Sequence, residues 1–373
     1  MTVETALDVF IDANILLLVT CLVWSTVLAI SPRIGLKSNF QSQLLFLNGS
    51  IGAIFLSPIV VYFFGGWASQ NSLNISDMIV AGYLNGNFKM DAEQLQSTLG
   101  LREEIVREIV NLSSISAKIF VGLFAATSMF FVLRLVLQGY RLWVQLKNSY
   151  LLKRFRYVHI LVSDEISIPY STRGLFQRYI VIPESMLTHQ LDLQIAVGHE
   201  LQHIRQGDVE WEFFMEILKP LFFWNPAYYV WCAQVRMLRE YACDQIIVRR
   251  SPHGIRAYCE CLLRASRSST EQHGQLPTVA LVEKSHSEKS KRSLLRKRIV
   301  AMTSDQGRKD SKLVAAAVSL SLVGIVFATS ILMHNPKDWS HDRLMLSTII
   351  NLERMNSLNK TIPVPSYEGN TAK

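Results

Sequence analysis

His199-Glu200-Leu201-Gln202-His203 is the stretch that decides the local fold, because it spaces two histidines four residues apart. In a helix, residues at this spacing share a face, so both imidazoles can bind one Zn²⁺. Glu200 follows the first histidine directly and lies beside such a metal, where it can take a proton from a bound water. Asp192, upstream, is expected to be the N-cap of the helix. The stretch therefore predicts a helix that carries a catalytic zinc site.

A third protein ligand is required, because catalytic zinc has three protein ligands and one open position. Glu240 and Asp244 are four residues apart in a later segment and would share a helix face. Glu240 is the candidate ligand, and Asp244 is the candidate acceptor for the ring N–H of a ligating histidine. Cys243 is a rival ligand, but a thiolate would lessen the Lewis acidity of the metal, so packing is its first interpretation. The alternative for the whole segment is a charged helix face.

Several segments in order resemble the BlaR/MecR family of membrane zinc metallopeptidases, which are similar to β-lactam sensor-transducers. They are G-H-E-L-Q-H-I-R-Q-G-D (198–208), F-W-N-P (223–226) and L-R-E-Y-A-C-D (238–244), with flanking segments at 168–183 and 295–299. The resemblance implies the metal ligands His199, His203 and Glu240. It implies Glu200 as the catalytic base, with Asp244 and Asp208 as supporting residues. The implied fold is mostly α, a polytopic membrane protein with four transmembrane helices and a cytoplasmic α+β zincin-like (gluzincin) metallopeptidase domain.

The apolar composition agrees with a membrane protein, since hydrophobic residues make up 49% of the chain. Four apolar stretches are long enough to cross a bilayer, which takes about 20 residues; they are 13–30, 44–64, 119–137 and 313–333. The first lacks a basic flank and a cleavage site, so we expect a retained anchor. The expected domains are a three-helix membrane region at 1–138 with an extracytoplasmic loop at about 68–116, a cytoplasmic metallopeptidase domain at 139–311, a fourth transmembrane helix at 312–334 and a short extracytoplasmic tail at 335–373.

The distribution of basic residues predicts the orientation. The N-terminal tail has acidic residues and no Lys or Arg, and the loop at 68–116 is acid-rich, whereas 141–312 is dense in Lys and Arg. We therefore expect a multi-pass protein of the bacterial inner membrane with its N-terminus outside and its catalytic domain in the cytoplasm. The anionic inner leaflet explains the net charge of +8. The lipid bilayer is thus an expected partner, nucleic acid is not, and no disulfide framework is expected outside.

Two short β-branched runs, at 157–162 and 179–182, predict strands. A strand just before an H-E-x-x-H helix often forms the cleft edge where an extended peptide pairs through its backbone. Tyr179, Ile180 and Val181 are therefore candidate substrate-binding residues, and the alternative is a structural hairpin. The polar run at 266–291 predicts a linker, in which His273 and His286 are solvated rather than bound to metal.

The sequence departs from the drug-sensor pattern after the last predicted span. The sensors of this family resemble penicillin-binding proteins in a large domain there, whereas only residues 334–373 follow here. Ser357 and Lys360 spell S-x-x-K, the acylation motif, but too few residues surround them to build a fold that holds the serine. We therefore expect no direct β-lactam binding.

Together these features predict a membrane-anchored zinc endopeptidase that cleaves a cytoplasmic protein, such as a transcriptional repressor in a signalling response. One alternative is a non-catalytic transducer that keeps zinc for structure, and another is a general membrane quality-control protease. Glu200 argues against the transducer, because a structural zinc site has no use for an adjacent base.

Overall fold

The structure is a computed structural model that describes residues 3–34, 40–70, 75–87, 90–174, 176–250, 254–271, 288–304, 312–333 and 341–361. The helices in these ranges are α1 Val3–Ile34, α2 Phe40–Gln70, α3 Ile75–Leu84, α4 Ala92–Asn111, α5 Ile115–Asn148, α6 Gln190–Gln206, α7 Asp208–Phe222, α8 Pro226–Arg250, α9 Gly254–Glu271, α10 Glu288–Ser304, α11 Lys312–Met333 and α12 His341–Thr361. The strands are β1 Tyr150–Arg154, β2 Val158–Ser163, β3 Tyr170–Arg173 and β4 Arg178–Pro183. The prediction of a mostly helical fold with a small sheet is confirmed.

The chain divides into two compact units, each built from separate stretches of sequence. One contains Met1–Leu16, Gly52–Phe120 and Gly324–Lys373, and the other contains Leu17–Ile51 and Val121–Val323. Two predictions cannot be compared with the structure. Most of the polar linker, including His273 and His286, falls in 272–287, and the side chain of Ser357 at the end of α12 is likewise not described.

Three helices in the described ranges are long and apolar enough to cross a membrane. The stretches are Val3–Ala29 in α1, Phe40–Phe64 in α2 and Ile115–Asn148 in α5. The fourth predicted span coincides with α11, where the apolar stretch that can be assessed is the shorter Val323–Met333. The four-span layout therefore stays a prediction.

The four strands form one mixed sheet in the order β1-β2-β4-β3. The two predicted strands, β2 and β4, are confirmed. They are neighbours in the sheet and run parallel, so they do not form a hairpin. The two strands missed by the sequence analysis, β1 and β3, pair antiparallel at the outer edges. Their sequences, Y-L-L-K-R and Y-S-T-R, lack the alternation of apolar residues that marks a half-buried strand.

One face of the sheet packs on the helix that carries the H-E-x-x-H motif. Ile160, Ile180 and Ile182 point to the same side of β2 and β4, and they pack with Ile204 of α6 and Val209 of α7. Burial of each such side chain contributes roughly 1.5–3 kcal/mol. This apolar contact fixes α6 against the sheet, while the opposite face holds a second cluster around Leu161 and Val181 of the sheet.

Helix α6 begins two residues earlier than the predicted cap. Its N-cap is His189, and Asp192 lies inside the first turn, so the prediction that Asp192 is the N-cap is wrong. The buried carboxylate of Asp192 instead accepts two hydrogen bonds from Arg264 of α9, at 2.6 and 2.8 Å. This ion pair ties α9 to the start of the motif helix.

Helix α8 starts at the Asn-Pro break seen in the sequence. The side chain of Asn225 accepts a hydrogen bond from the backbone N–H of Ala227 at 3.0 Å, and Pro226 occupies the first helical position. The first turns of α8 then contact two of the membrane helices in the same unit. Cys21 donates to the carbonyl of Ala227, and Trp231 donates to the carbonyl of Leu47.

In the other unit, the segment predicted to be an extracytoplasmic loop forms two helices. Helices α3 and α4 lie within residues 68–116, and Val80 and Leu95 from them share a small core with Leu346 of α12. Arg102 of α4 binds Asp8 and Asp12 of α1, at 3.0 and 2.8 Å.

Candidate metal centre

Helices α6 and α8 bring the three predicted metal ligands together. The Nε2 atoms of His199 and His203 are 3.1 Å apart. Each lies 3.6 Å from a carboxylate oxygen of Glu240, Oε2 for His199 and Oε1 for His203. Three ligand side chains from two helices thus face one another across a small space.

These separations fit a tetrahedral zinc site. With Zn–N and Zn–O bonds of about 2.0–2.2 Å, ligand atoms in a tetrahedron lie about 3.3 Å apart. The observed N···N and N···O distances of 3.1 and 3.6 Å bracket that value. The donor set of two imidazoles and a carboxylate also leaves one coordination position open, as hydrolytic zinc requires.

Cys243 lies close enough to remain a rival third ligand. Among the described residues, His199, His203 and Cys243 place one ligand atom each within 4.8 Å of one another. However, the Sγ atom of Cys243 contacts Nδ1 of His199, at 3.5 Å, whereas the Glu240 oxygens face the Nε2 atoms of both histidines. Cys243 is fully buried, whereas the Glu240 side chain is 38% exposed. A site open to substrate is therefore better served by Glu240.

Both histidines are fixed through their second ring nitrogen. The Nδ1 atom of His203 is 2.8 Å from a carboxylate oxygen of Asp208, which begins α7. With the ring proton held on Nδ1 by this bond, the lone pair of Nε2 faces Glu240, where a metal would bind. Asp208 is itself held by Arg239 of α8, with 3.6 Å between charged atoms.

For His199 the support differs from the prediction. Asp244 was expected to accept the ring N–H directly, but its Oδ1 is 3.8 Å from Nδ1, beyond hydrogen-bonding distance. The hydroxyl of Tyr258 lies between them, 2.9 Å from Nδ1, and donates to Asp244 at 2.6 Å. Since that hydroxyl donates its proton to Asp244, its oxygen is free to accept a hydrogen bond from the N–H of His199. The role predicted for Asp244 is therefore corrected to an indirect one through Tyr258.

Arg298 of α10 joins the two carboxylates of α8. It donates to both oxygens of Asp244, at 2.8 and 2.7 Å, and its Nη1 is 2.9 Å from Oε2 of Glu240. Burial by itself raises the pKa of Glu240, but Arg298 and the two histidines outweigh it and hold that pKa well below its usual value. Glu240 is therefore kept ionised, as a metal ligand must be.

The charges around the histidines favour a cation at the centre of the site. Burial lowers the pKa of both rings, but their neighbours outweigh it and raise both pKa values. The raising neighbours are Cys243 and Glu240 for His199, and Asp208, Cys243 and Glu240 for His203. An environment that stabilises positive charge on two imidazoles also suits a divalent metal between them.

Glu200 occupies the position expected of a base. It follows His199 on α6, is 93% buried and forms no ion pair with any residue that the structure describes. A carboxylate that no cation neutralises is available to exchange protons with water at the adjacent site.

The predicted substrate-binding strand needs correction. Tyr179, Ile180 and Val181 lie in β4, which is an inner strand hydrogen-bonded to β2 on one side and β3 on the other. Its backbone has no free edge for a peptide, and the side chains of Ile180 and Val181 are buried. The unpaired edge nearest the site belongs to β3, which packs beside α6 and α7.

Two residues of the site were missed by the sequence analysis. Tyr258 lies on the apolar stripe of α9, packed with Cys261 and Ile195, and reads as an ordinary core residue. Arg298 lies in the basic segment at 295–299, where it reads as one of several positive charges beside a span. The segment that contains Arg298 was noted only because it resembles the family, and no local sequence pattern distinguished Tyr258 from other core residues.

Substitution of Tyr258 tests the indirect support of His199. Tyr258→Phe should lower Zn²⁺ affinity about 10- to 100-fold, because it removes the hydroxyl that links His199 to Asp244. Tyr229→Phe is the matched control, since its hydroxyl bonds the carbonyl of Phe223 instead. Competition with a chelating dye measures the affinity. If Tyr258→Phe and Tyr229→Phe bind zinc as tightly as the unaltered protein, the hydroxyl does not hold the ligand.

The comparison with known protein families agrees with this geometry. A family model described as BlaR1 peptidase M56 matches residues 50–295, which include His199, Glu200, His203 and Glu240. No curated protein matches the chain. Because the family model covers most of the chain, it confirms the resemblance drawn from the sequence motifs. The chain belongs to the BlaR1 peptidase M56 family, a family of metallopeptidases.

Proposed function

We propose that this protein is a membrane-anchored zinc endopeptidase with His199, His203 and Glu240 as its metal ligands. One observation carries the proposal: both Nε2 atoms face the Glu240 carboxylate within 3.6 Å, while both Nδ1 atoms are engaged elsewhere. Rings fixed in this way present their lone pairs to a common point, which is what a resident metal needs.

The residues of the chain divide the work of peptide hydrolysis. Zinc held by these ligands would supply a Lewis acid, able to lower the pKa of water and to polarise a peptide carbonyl. Glu200 takes the proton from the attacking water and then gives it to the leaving amine. Asp208 and Tyr258 hold the two imidazoles, and Arg298 keeps Glu240 ionised and in place.

The edge of β3 is the proposed place for an extended substrate. Its free backbone groups can add a peptide as a further strand. Since β3 lies beside α6, a peptide there would run past the helix that carries the H-E-x-x-H motif.

The proposed cellular setting follows the family and the charge distribution. We place the protein in the bacterial inner membrane with four spans, its N-terminus outside and its catalytic unit in the cytoplasm. The basic residues at 141–312 support this orientation. A cytoplasmic protein, such as a transcriptional repressor in a signalling response, is the proposed substrate.

Metal content distinguishes the two candidate third ligands. Glu240→Ala should lose most of its zinc, whereas Cys243→Ala should keep about one Zn²⁺ per chain. The reason is that Glu240 lies 3.6 Å from both Nε2 atoms, whereas Cys243 contacts His199 through Nδ1. Elemental analysis of the purified proteins measures the ratio, with Glu184→Ala as the control at an exposed glutamate just upstream of α6. Zinc lost from Cys243→Ala and retained by Glu240→Ala would make the thiolate the third ligand.

Substitution of the base separates catalysis from metal binding. Glu200→Gln should retain zinc but cleave peptides about 100- to 10,000-fold more slowly, because only the proton transfer is removed. The assay follows a fluorogenic peptide library with the full chain in lipid nanodiscs, and Glu184→Gln should match the unaltered protein. Undiminished cleavage by Glu200→Gln would contradict the mechanism. Zinc binding without cleavage of any peptide by the unaltered protein would favour the transducer.

Reporter fusions test the orientation. A reporter enzyme that works only outside the cytoplasm should be active when fused at Asp91 or after Pro336, and inactive at Gln272. The positive-inside rule is the physical reason, because the region around Gln272 is rich in Lys and Arg. The reverse pattern would place the metal centre outside and exclude a cytoplasmic substrate.

A further inference from the structure

A long stretch of the chain around the end of α5 carries only positive charge. No Asp or Glu occurs from residue 109 to residue 163. Five basic residues fall between 138 and 163, namely Arg141, Lys147, Lys153, Arg154 and Arg156. Arg141 and Lys147 lie in the last turns of α5, a helix that is apolar enough to cross a membrane, and the other three residues follow it directly.

Three of these cations lie over exposed aromatic rings. Lys147 is 5.5 Å from the ring centre of Trp143, Lys153 is 5.1 Å from Phe155, and Arg156 is 5.1 Å from Tyr157. We call these six residues the cation-aromatic surface. Their rings are about half exposed, from 48% for Phe155 to 57% for Trp143 and Tyr157.

The cations of this surface have no carboxylate partner among the residues that the structure describes. Two arginines elsewhere on the sheet behave differently, because Arg173 and Arg178 both pair with Glu210 of α7. Positive charges that the fold leaves unpaired are available to an external anion.

Apolar side chains adjoin the same surface. All five residues of β1 are exposed, including Tyr150 at 74%, Leu151 at 58% and Leu152 at 49%. This edge strand joins α5, in which no residue of the most apolar stretch is buried. Exposed apolar side chains next to unpaired cations are typical of a membrane interface, which offers both hydrocarbon and anionic groups.

The length of α5 places the first part of the surface at headgroup depth. Its apolar stretch was predicted to end at Leu137, and Tyr140 and Trp143 lie about 5 and 9 Å further along the helix. The headgroup layer on each side of a bilayer is roughly 5–8 Å thick. Tyr140, 62% exposed, thus lies within this layer, where interfacial aromatic residues are enriched, and Trp143 lies just past its outer limit, where its neighbouring Lys147 can reach back to the headgroups.

We infer that the cation-aromatic surface binds the headgroups of anionic phospholipids in the bilayer that α5 enters. The Lys and Arg side chains donate hydrogen bonds to lipid phosphate, and the rings and leucines enter the interface. Nucleic acid would satisfy the charges, but it would leave the apolar side chains of β1 in water. The inference does not depend on the proposed protease activity.

Photocrosslinking of the full chain tests the contact. Phe155 is replaced by a photoreactive phenylalanine derivative, and the protein is placed in nanodiscs of equal parts phosphatidylcholine and phosphatidylglycerol. We expect lipid adducts, with phosphatidylglycerol several-fold in excess, because about three cations surround the probe. Mass spectrometry of the adducts gives the ratio.

A matched pair of variants shows whether charge causes the preference. Lys153→Gln/Arg154→Gln/Arg156→Gln should bring the lipid ratio close to one. Arg205→Gln/Arg250→Gln/Arg256→Gln removes the same charge from exposed positions elsewhere and should leave the preference intact.

Three results would overturn the inference. Adducts only to protein, or none, would place the surface away from the bilayer. Equal incorporation of both lipids in the unaltered protein would remove the role of the cations. Retention of a DNA oligonucleotide by the nanodisc-bound chain, lost in the first triple variant and without a lipid preference, would identify nucleic acid as the ligand.

Discussion

The approach of two imidazole Nε2 atoms to 3.1 Å is the constraint on which the rest of the site depends. A metal between them needs the lone pairs of both Nε2 atoms, so the surroundings must hold each ring proton on Nδ1. Asp208 does this for His203, and the hydroxyl of Tyr258 does it for His199. Each of these partners comes from a different helix, so the candidate metal centre forms only when the helices are docked together.

Ion pairs between the helices keep them packed in this arrangement. Arg264 of α9 binds Asp192 at the start of α6, and Arg239 of α8 lies between Asp208 and Glu212 of α7. Arg298 brings α10 onto both carboxylates of α8. The pairs of Arg239 with Asp208 and of Arg298 with Asp244 are mostly buried. Loss of one partner from such a pair is strongly destabilising, because the other charge stays desolvated and unpaired. Their value here lies in fixing the geometry of the ligands more than in net stability.

The sheet separates two kinds of surface within the same unit. One face packs on α6 through Ile160, Ile180 and Ile182, and this contact positions the H-E-x-x-H helix. On the β3 side, Arg173 and Arg178 are neutralised by Glu210. On the β1 side, Lys153 and Arg156 have no carboxylate partner among the described residues, and each lies over an aromatic ring. A difference in charge pairing therefore distinguishes the side that faces the metal helices from the side that continues into the membrane helix.

The sequence by itself determined the local features of this protein. The spacing of His199 and His203, and of Glu240 and Asp244, follows from helical periodicity, and the apolar runs of β2 and β4 follow from burial on both faces. Only the tertiary structure decided the rest. It placed Tyr258 between His199 and Asp244, brought Arg298 to Glu240, and made β4 an inner strand so that the free edge belongs to β3. These outcomes depend on how distant segments pack and pair, which no local pattern of residues encodes.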